Sequence, residues 1–98
     1  MNPIVKNIIN QLKPYHPEKI ILFGSYAYGK PTENSDVDLV IIKNTTESFL
    51  ERQKSARSLL RTTTPVDIFV FTSSEFEKAK DNNLLIKEIA ELGKVIYE

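Results

Sequence analysis

The chain has no cysteine, which excludes disulfides and thiolate metal sites. It has one histidine, His16, set between Pro14 and Pro17, which reads as a loop residue with no catalytic role. No apolar run approaches the ~18 residues of a membrane span. The first residues, MNPIVKNIINQLK, lack the layout of a secretory leader. These absences make the cytoplasm the default compartment. Charge of one sign is missing too. Thirteen basic and thirteen acidic residues cancel, whereas a non-specific nucleic-acid binder usually carries a basic excess. There are no repeats, no low-complexity stretch and no linker. The 98 residues suffice for one domain, residues 1–98. With 41% apolar and 27% charged residues, a globular protein is expected rather than a disordered one.

In chain order, residues 3–13 predict a helix. Asn2 is its N-cap, Pro3 its first residue, and Ile4, Val5, Ile8, Ile9 and Leu12 its apolar stripe. Lys19–Phe23 reads as a buried strand ended by Gly24. Residues 25–28 predict a short helical turn stopped by Gly29, and residues 30–35 a loop. Asp36–Lys43 predicts a second strand. Asn44 to about Thr62 predicts the longest helix, with Asn44 and Glu47 as a capping box. Its Arg52, Lys54, Arg57 and Arg61 read as a solvated face. Val66–Phe71 predicts a third strand. A short helix over 72–80 follows, capped by Ser74 and Glu77, then a helix over 82–92 with Gly93 at its C′ position. Residues 94–97 predict a last edge strand. The expected fold is α/β (α+β): a small mixed sheet of three to four strands flanked by helices.

Residues 24–39, GSYAYGKPTENSDVDL, carry the chemistry. Strands normally avoid Asp. Here Asp36 and Asp38 open the second strand, two residues apart and therefore on one face, and Asp67 sits near the start of the third. Crowded carboxylates repel one another and are costly to desolvate; a divalent cation relieves both problems. Mg²⁺ is commonly held by one or two carboxylates plus substrate phosphates. A third carboxylate allows two metals, spaced for in-line phosphoryl displacement. Gly24 permits close backbone approach to a ligand, and the amides of a turn over 25–28 would face an anion. A lone Asp-x-Asp is commonly turn chemistry, and a lone Gly-Ser commonly just ends a strand. Together, as Gly-Ser-x10-Asp-x-Asp, they arise by chance in roughly one chain in a thousand of this length.

This pattern, with the third strand Asp, resembles the DNA polymerase β-like nucleotidyltransferase superfamily. The length and the GSYA-x-G segment are similar to the minimal nucleotidyltransferases (MNT), stand-alone catalytic domains often paired with HEPN-domain toxins. The resemblance implies that Gly24 and Ser25 bind the β and γ phosphates of ATP. It implies that Asp36 and Asp38 hold Mg²⁺, and that Asp67 completes a second metal site and helps activate the acceptor hydroxyl. The expected function is Mg²⁺-dependent transfer of AMP to a hydroxyl of a partner protein, a HEPN toxin, with this chain as the antitoxin. The chain lacks the Arg-x4–6-His ribonuclease motif of the toxins. It departs from the family where Tyr28 replaces a common Arg, with Lys30 two residues on as a substitute cation. With no residues left for a second domain, the acceptor is expected on another molecule. Two alternatives stand beside this reading. One is a catalytically weak or inactive antitoxin subunit that neutralises its partner by binding; on any of these readings a homo- or hetero-oligomer fits so small a core. The other is an RNA-directed nucleotidyltransferase, which the zero net charge disfavours.

Overall fold

A computed structural model describes residues 1–98. Helix α1 spans Pro3–Leu12, and the Asn2 side chain caps it by accepting from the Ile4 amide. Val5, Ile8, Ile9 and Leu12 are buried along one stripe, as the helical spacing predicts. A 3₁₀ turn over Lys13–Tyr15 extends α1 past the expected end. Strand β1 (Lys19–Phe23) and the single-turn helix α2 (Ser25–Tyr28) follow the expected bounds. Strand β2 covers Val37–Ile42, so Asp36 lies one residue before it.

Helix α3 is much shorter than expected, Phe49–Arg57. Asn44 does not cap it. The Asn44 amide donates instead to Glu18, and the Thr45 hydroxyl takes the Glu47 amide in a local turn. Ser48 is the cap, accepting from the Glu51 amide. Leu59 and Leu60 lie beyond the helix in a tightened turn, half-buried. The side chains α3 buries are Arg52 and Ala56, while Phe49 and Leu50 are exposed. The basic residues of this segment are not one solvated face. Arg52 is buried and pairs with Glu75 through two hydrogen bonds of 2.6 and 3.2 Å, and its Nε donates to the Glu47 carbonyl. Arg57 donates to the Val66 carbonyl at 2.9 Å. The Arg61 amide and carbonyl bond the Gln11 side chain, tying this loop to α1.

Strand β3 (Val66–Phe71) leads into α4 (Ser73–Asn82). The capping box there is Thr72 with Glu75, not Ser74 with Glu77. Both pairs fit the pattern, and the end of β3 at Phe71 decides between them. Helix α5 (Leu84–Leu92) starts from Asn83, which accepts from the amides of Leu85 and Ile86. Gly93 ends α5 without entering the left-handed region (φ −64°). It is needed for close packing, since a Cβ would overlap the Ile89 carbonyl oxygen and lie 2.6 Å from Ile21 Cγ2. Strand β4 (Lys94–Tyr97) follows.

The four strands form a mixed sheet in the order β3-β2-β1-β4, with β1 antiparallel to β2 and β4, and β2 parallel to β3. Apolar side chains pack both faces. Ile20, Leu22, Leu39, Ile41, Ile68 and Val70 join α1, α2 and α3 on one side. Ile21, Phe23, Val40 and Ile42 meet α4 and α5 on the other. Burial on two faces explains the near-continuous apolar runs of β1 and β2. Edge strand β3 alternates instead, and Asp67 and Phe69 are exposed on the α4/α5 side. No helix is long and apolar enough to cross a membrane.

Candidate active site

The five residues singled out in the sequence converge at one end of the sheet. Strand β1 delivers Gly24 and Ser25 there, and β2 and β3 both begin there. The β1–β2 register sets Phe23 beside Asp38, and the parallel β2–β3 register sets Asp38 beside Asp67. Paired positions share a face, so the two carboxylates are neighbours on the α4/α5 side. Asp36 precedes β2 by one residue and is exposed; Asp67 is exposed and Asp38 half-buried.

Electrostatics single out Asp38. Burial pushes its carboxyl above the usual range, and the negative charges of Asp67 and then Asp36 push it further. The two ion pairs of the chain use Glu75 and Glu77, so no cation of the protein neutralises these three acids. The carboxylates are not drawn into a closed cage: no three acidic or histidine side chains stand close enough to hold a metal unaided. Mg²⁺ is commonly held by one or two carboxylates, with substrate phosphates and water completing its shell. A half-buried, charge-crowded carboxylate with two acidic neighbours is a donor set of the hard-oxygen kind this ion takes.

Gly24 sits against this cluster. Its backbone has φ +74° and ψ −159°, a region essentially restricted to glycine. A Cβ at this position would overlap Asp38 Oδ2, so the turn runs in contact with the central acid. Helix α2 starts immediately after. Being a single turn, it leaves the Ser25 and Tyr26 amides without a backbone acceptor, while the Ala27 and Tyr28 amides bond the Gly24 carbonyl. Two free donors thus flank the acids. Ala27 and Tyr26 anchor the turn by packing into the α1 side of the core. Tyr28 and Lys30 are exposed at the rim.

The acids have one further neighbour that the Gly-Ser-x10-Asp-x-Asp pattern does not mark. Phe69 lies two residues beyond Asp67 on the same strand face, 37% exposed, its ring 6.4 Å from that of buried Phe23. The alternation in VDIFVF is the signal that marks it. A separate cleft of about 360 Å³, lined by Glu18, Lys19, Ile42, Phe76 and Lys80, lies at the opposite end of the strands and contains none of the acids. The unneutralised charge and the free amides meet at the acidic end and not at this cleft.

Free amides beside carboxylates on adjacent strands can receive a phosphate together with a cation. Residues 6–98 match the family model described as "Polymerase beta, Nucleotidyltransferase". The chain belongs to that family. A Methanocaldococcus jannaschii protein named "Putative protein adenylyltransferase" is 32% identical over 96 residues, covering 95% of this chain and 94% of the relative. A second protein of that name from the same organism is 38% identical over 53 residues, 54% of each chain. Among solved structures, a Sulfolobus solfataricus protein described as "a putative nucleotidyltransferase" superposes with a TM-score of 0.67 over 97% of this chain and 78% of its own. At 17% identity that likeness shows the fold. The chain is thus a nucleotidyltransferase-family enzyme on a four-stranded mixed sheet.

Proposed function

We propose that residues 1–98 form one catalytic domain that transfers AMP from ATP to a hydroxyl of a partner protein, with Mg²⁺. The observation that carries this reading is the meeting of unneutralised Asp36, Asp38 and Asp67 with the free amides of Ser25 and Tyr26. The names borne by the Methanocaldococcus jannaschii relatives support a protein acceptor over an RNA end.

In this reading the Ser25 and Tyr26 amides bind phosphate oxygens of the triphosphate, and Gly24 lets them close on it. Asp36 and Asp38 hold the metal at the triphosphate, and Asp67 joins them to complete a second position. Bound there, Mg²⁺ would neutralise phosphate charge and lower the pKa of the attacking hydroxyl. The acceptor oxygen attacks the α-phosphorus, the bond from that phosphorus to the bridging oxygen breaks, and pyrophosphate leaves. Asp67, exposed on edge strand β3 away from the phosphate turn, takes the hydroxyl proton. Catalysis comes from positioning and charge neutralisation, with no covalent enzyme intermediate. The partner we propose is a HEPN-domain protein, for which this chain acts as antitoxin. Incubating the protein with Mg²⁺ and α-labelled ATP in a lysate of its host tests the reading. A labelled protein band is expected with the parent and not with Asp36→Asn/Asp38→Asn. Label confined to RNA, or transfer by the variant at the parental rate, overturns it.

A further inference from the structure

The reaction above gives no part to Tyr28, although this residue stands on the phosphate turn itself, three positions after Ser25. Tyr28 is 52% exposed. The other tyrosines are less open: Tyr15 is buried, and Tyr26 and Tyr97 are half-buried against the α1 side of the core. Helix α2 ends at Tyr28 and Gly29 leaves it extended, so residues 28–34 form an unbroken exposed run. The next hydroxyls along the chain, Thr32 and Ser35, are engaged with each other and with the Thr32 and Asn34 amides. Lys30 is exposed in the same run and belongs to neither ion pair of the chain. The run thus carries a free phenol and a free cation outward, and the unneutralised acids are a complementary target for that cation.

The in-line requirement directs the phenol to a second copy rather than to its own site. Residues three apart on a helix share a face, with ~5–6 Å between Cβ atoms, so Tyr28 stands on the side of Ser25, beside the leaving group. The attacking oxygen must enter opposite the pyrophosphate, over β3 and Asp67. The Tyr28 of another copy can arrive there. We infer that Tyr28 is an adenylylation site of this protein, modified in trans by a second copy. This rests on the transferase reading above. Tyr28 Oη of one copy bonds to the α-phosphorus of the ATP held by the other. The bond from that phosphorus to the bridging oxygen breaks, and pyrophosphate leaves with the electron pair. The phenol proton passes to Asp67 of the copy holding the ATP. Phenol is the most acidic side-chain hydroxyl, so it gives up that proton more readily than Ser or Thr. The product carries AMP on Tyr28 as a phosphodiester.

The test incubates the purified protein with Mg²⁺ and ATP, follows intact mass and peptide mass, and measures ATP binding by calorimetry on the same sample. One added AMP per chain is expected, mapped to Tyr28, and Tyr28→Phe is expected to lose it. Tenfold dilution of the protein at constant ATP is expected to slow modification about tenfold, as a bimolecular step requires. A mixture separates the roles. Tyr28→Phe, which keeps the acids, is expected to label Asp36→Asn/Asp38→Asn, which keeps Tyr28 and labels nothing alone. Adding Lys30→Glu to that acceptor variant only is expected to slow its labelling severalfold. ATP binding with no mass increase, or with AMP at a residue other than Tyr28, overturns the inference and leaves the transferase reading standing. So does a rate independent of dilution with no labelling in the mixture, which would make the reaction intramolecular. Failure of ATP to bind at all overturns the transferase reading and this inference with it.

Discussion

Replacing Gly24 by alanine probes the contact on which the site geometry depends. Two costs follow from the structure. The backbone at φ +74° and ψ −159° is nearly closed to residues with a Cβ, a strain of about 1–3 kcal/mol. The new methyl would also overlap Asp38 Oδ2, forcing that carboxylate off its rotamer for about 0.5–1.5 kcal/mol. Together they predict a loss of about 2–4 kcal/mol in urea unfolding, and a fall in Tm of about 10 °C or more for a domain of this size. The two parts separate in a double-mutant cycle. In an Asp38→Ala background the overlapped atoms are gone, so Gly24→Ala should cost only the backbone share, with a coupling energy of about 1 kcal/mol. A Gly24→Ala loss below about 0.5 kcal/mol would refute the assigned backbone strain. Absence of coupling would refute the contact between Gly24 and Asp38.

Other expectations follow from the same structure. Asp38 holds its proton more tightly folded than unfolded, so the folded state binds more protons as pH rises from the unfolded value, ~3.9, through the raised folded one. Stability should fall with rising pH across that window, and Asp38→Asn should remove this slope and raise stability at neutral pH, while abolishing transfer; urea titrations at several pH values read it. Glu75 behaves oppositely, its carboxyl held low mainly by hydrogen bonding to Arg52. Its contribution should be full above its unfolded pKa and disappear as pH falls through the folded one. Glu75→Ala strands the buried Arg52 guanidinium, a cost of 3–5 kcal/mol for fully buried pairs but about 1–3 kcal/mol here because Glu75 is half-exposed. Gly93→Ala meets the Ile89 carbonyl and Ile21, and overpacking of that kind should cost about 1–3 kcal/mol in thermal unfolding.

Much of the fold was legible because it depends on local signals. The apolar run KIILF and its closing glycine mark β1, and the Val66–Phe71 run marks β3, at the observed bounds. Helix α3 was not legible at its ends. The span 44–62 has helical composition throughout, yet its flanks find better partners: Asn44 on Glu18 and Arg61 on Gln11, both distant in sequence. Nor does sequence reveal that Arg52 is a core residue, since its pairing with Glu75 joins two separate elements. The acids were legible as a pattern, and their neighbourhood came from register. Nothing local says that β3 pairs with β2 so that Asp67 stands beside Asp38. Phe69 was missed for the same reason: its exposure depends on which strand forms the edge.

A metal–nucleotide complex is expected at the acidic end of the sheet. Paramagnetic broadening by Mn²⁺ with uncleaved ATP analogue locates it directly. Selective loss of amide signals at residues 24–26, 36–38 and 66–68 is expected, restored by Asp36→Asn/Asp38→Asn. Broadening centred on the cleft at Glu18 and Glu77, or unchanged by that double substitution, would contradict it.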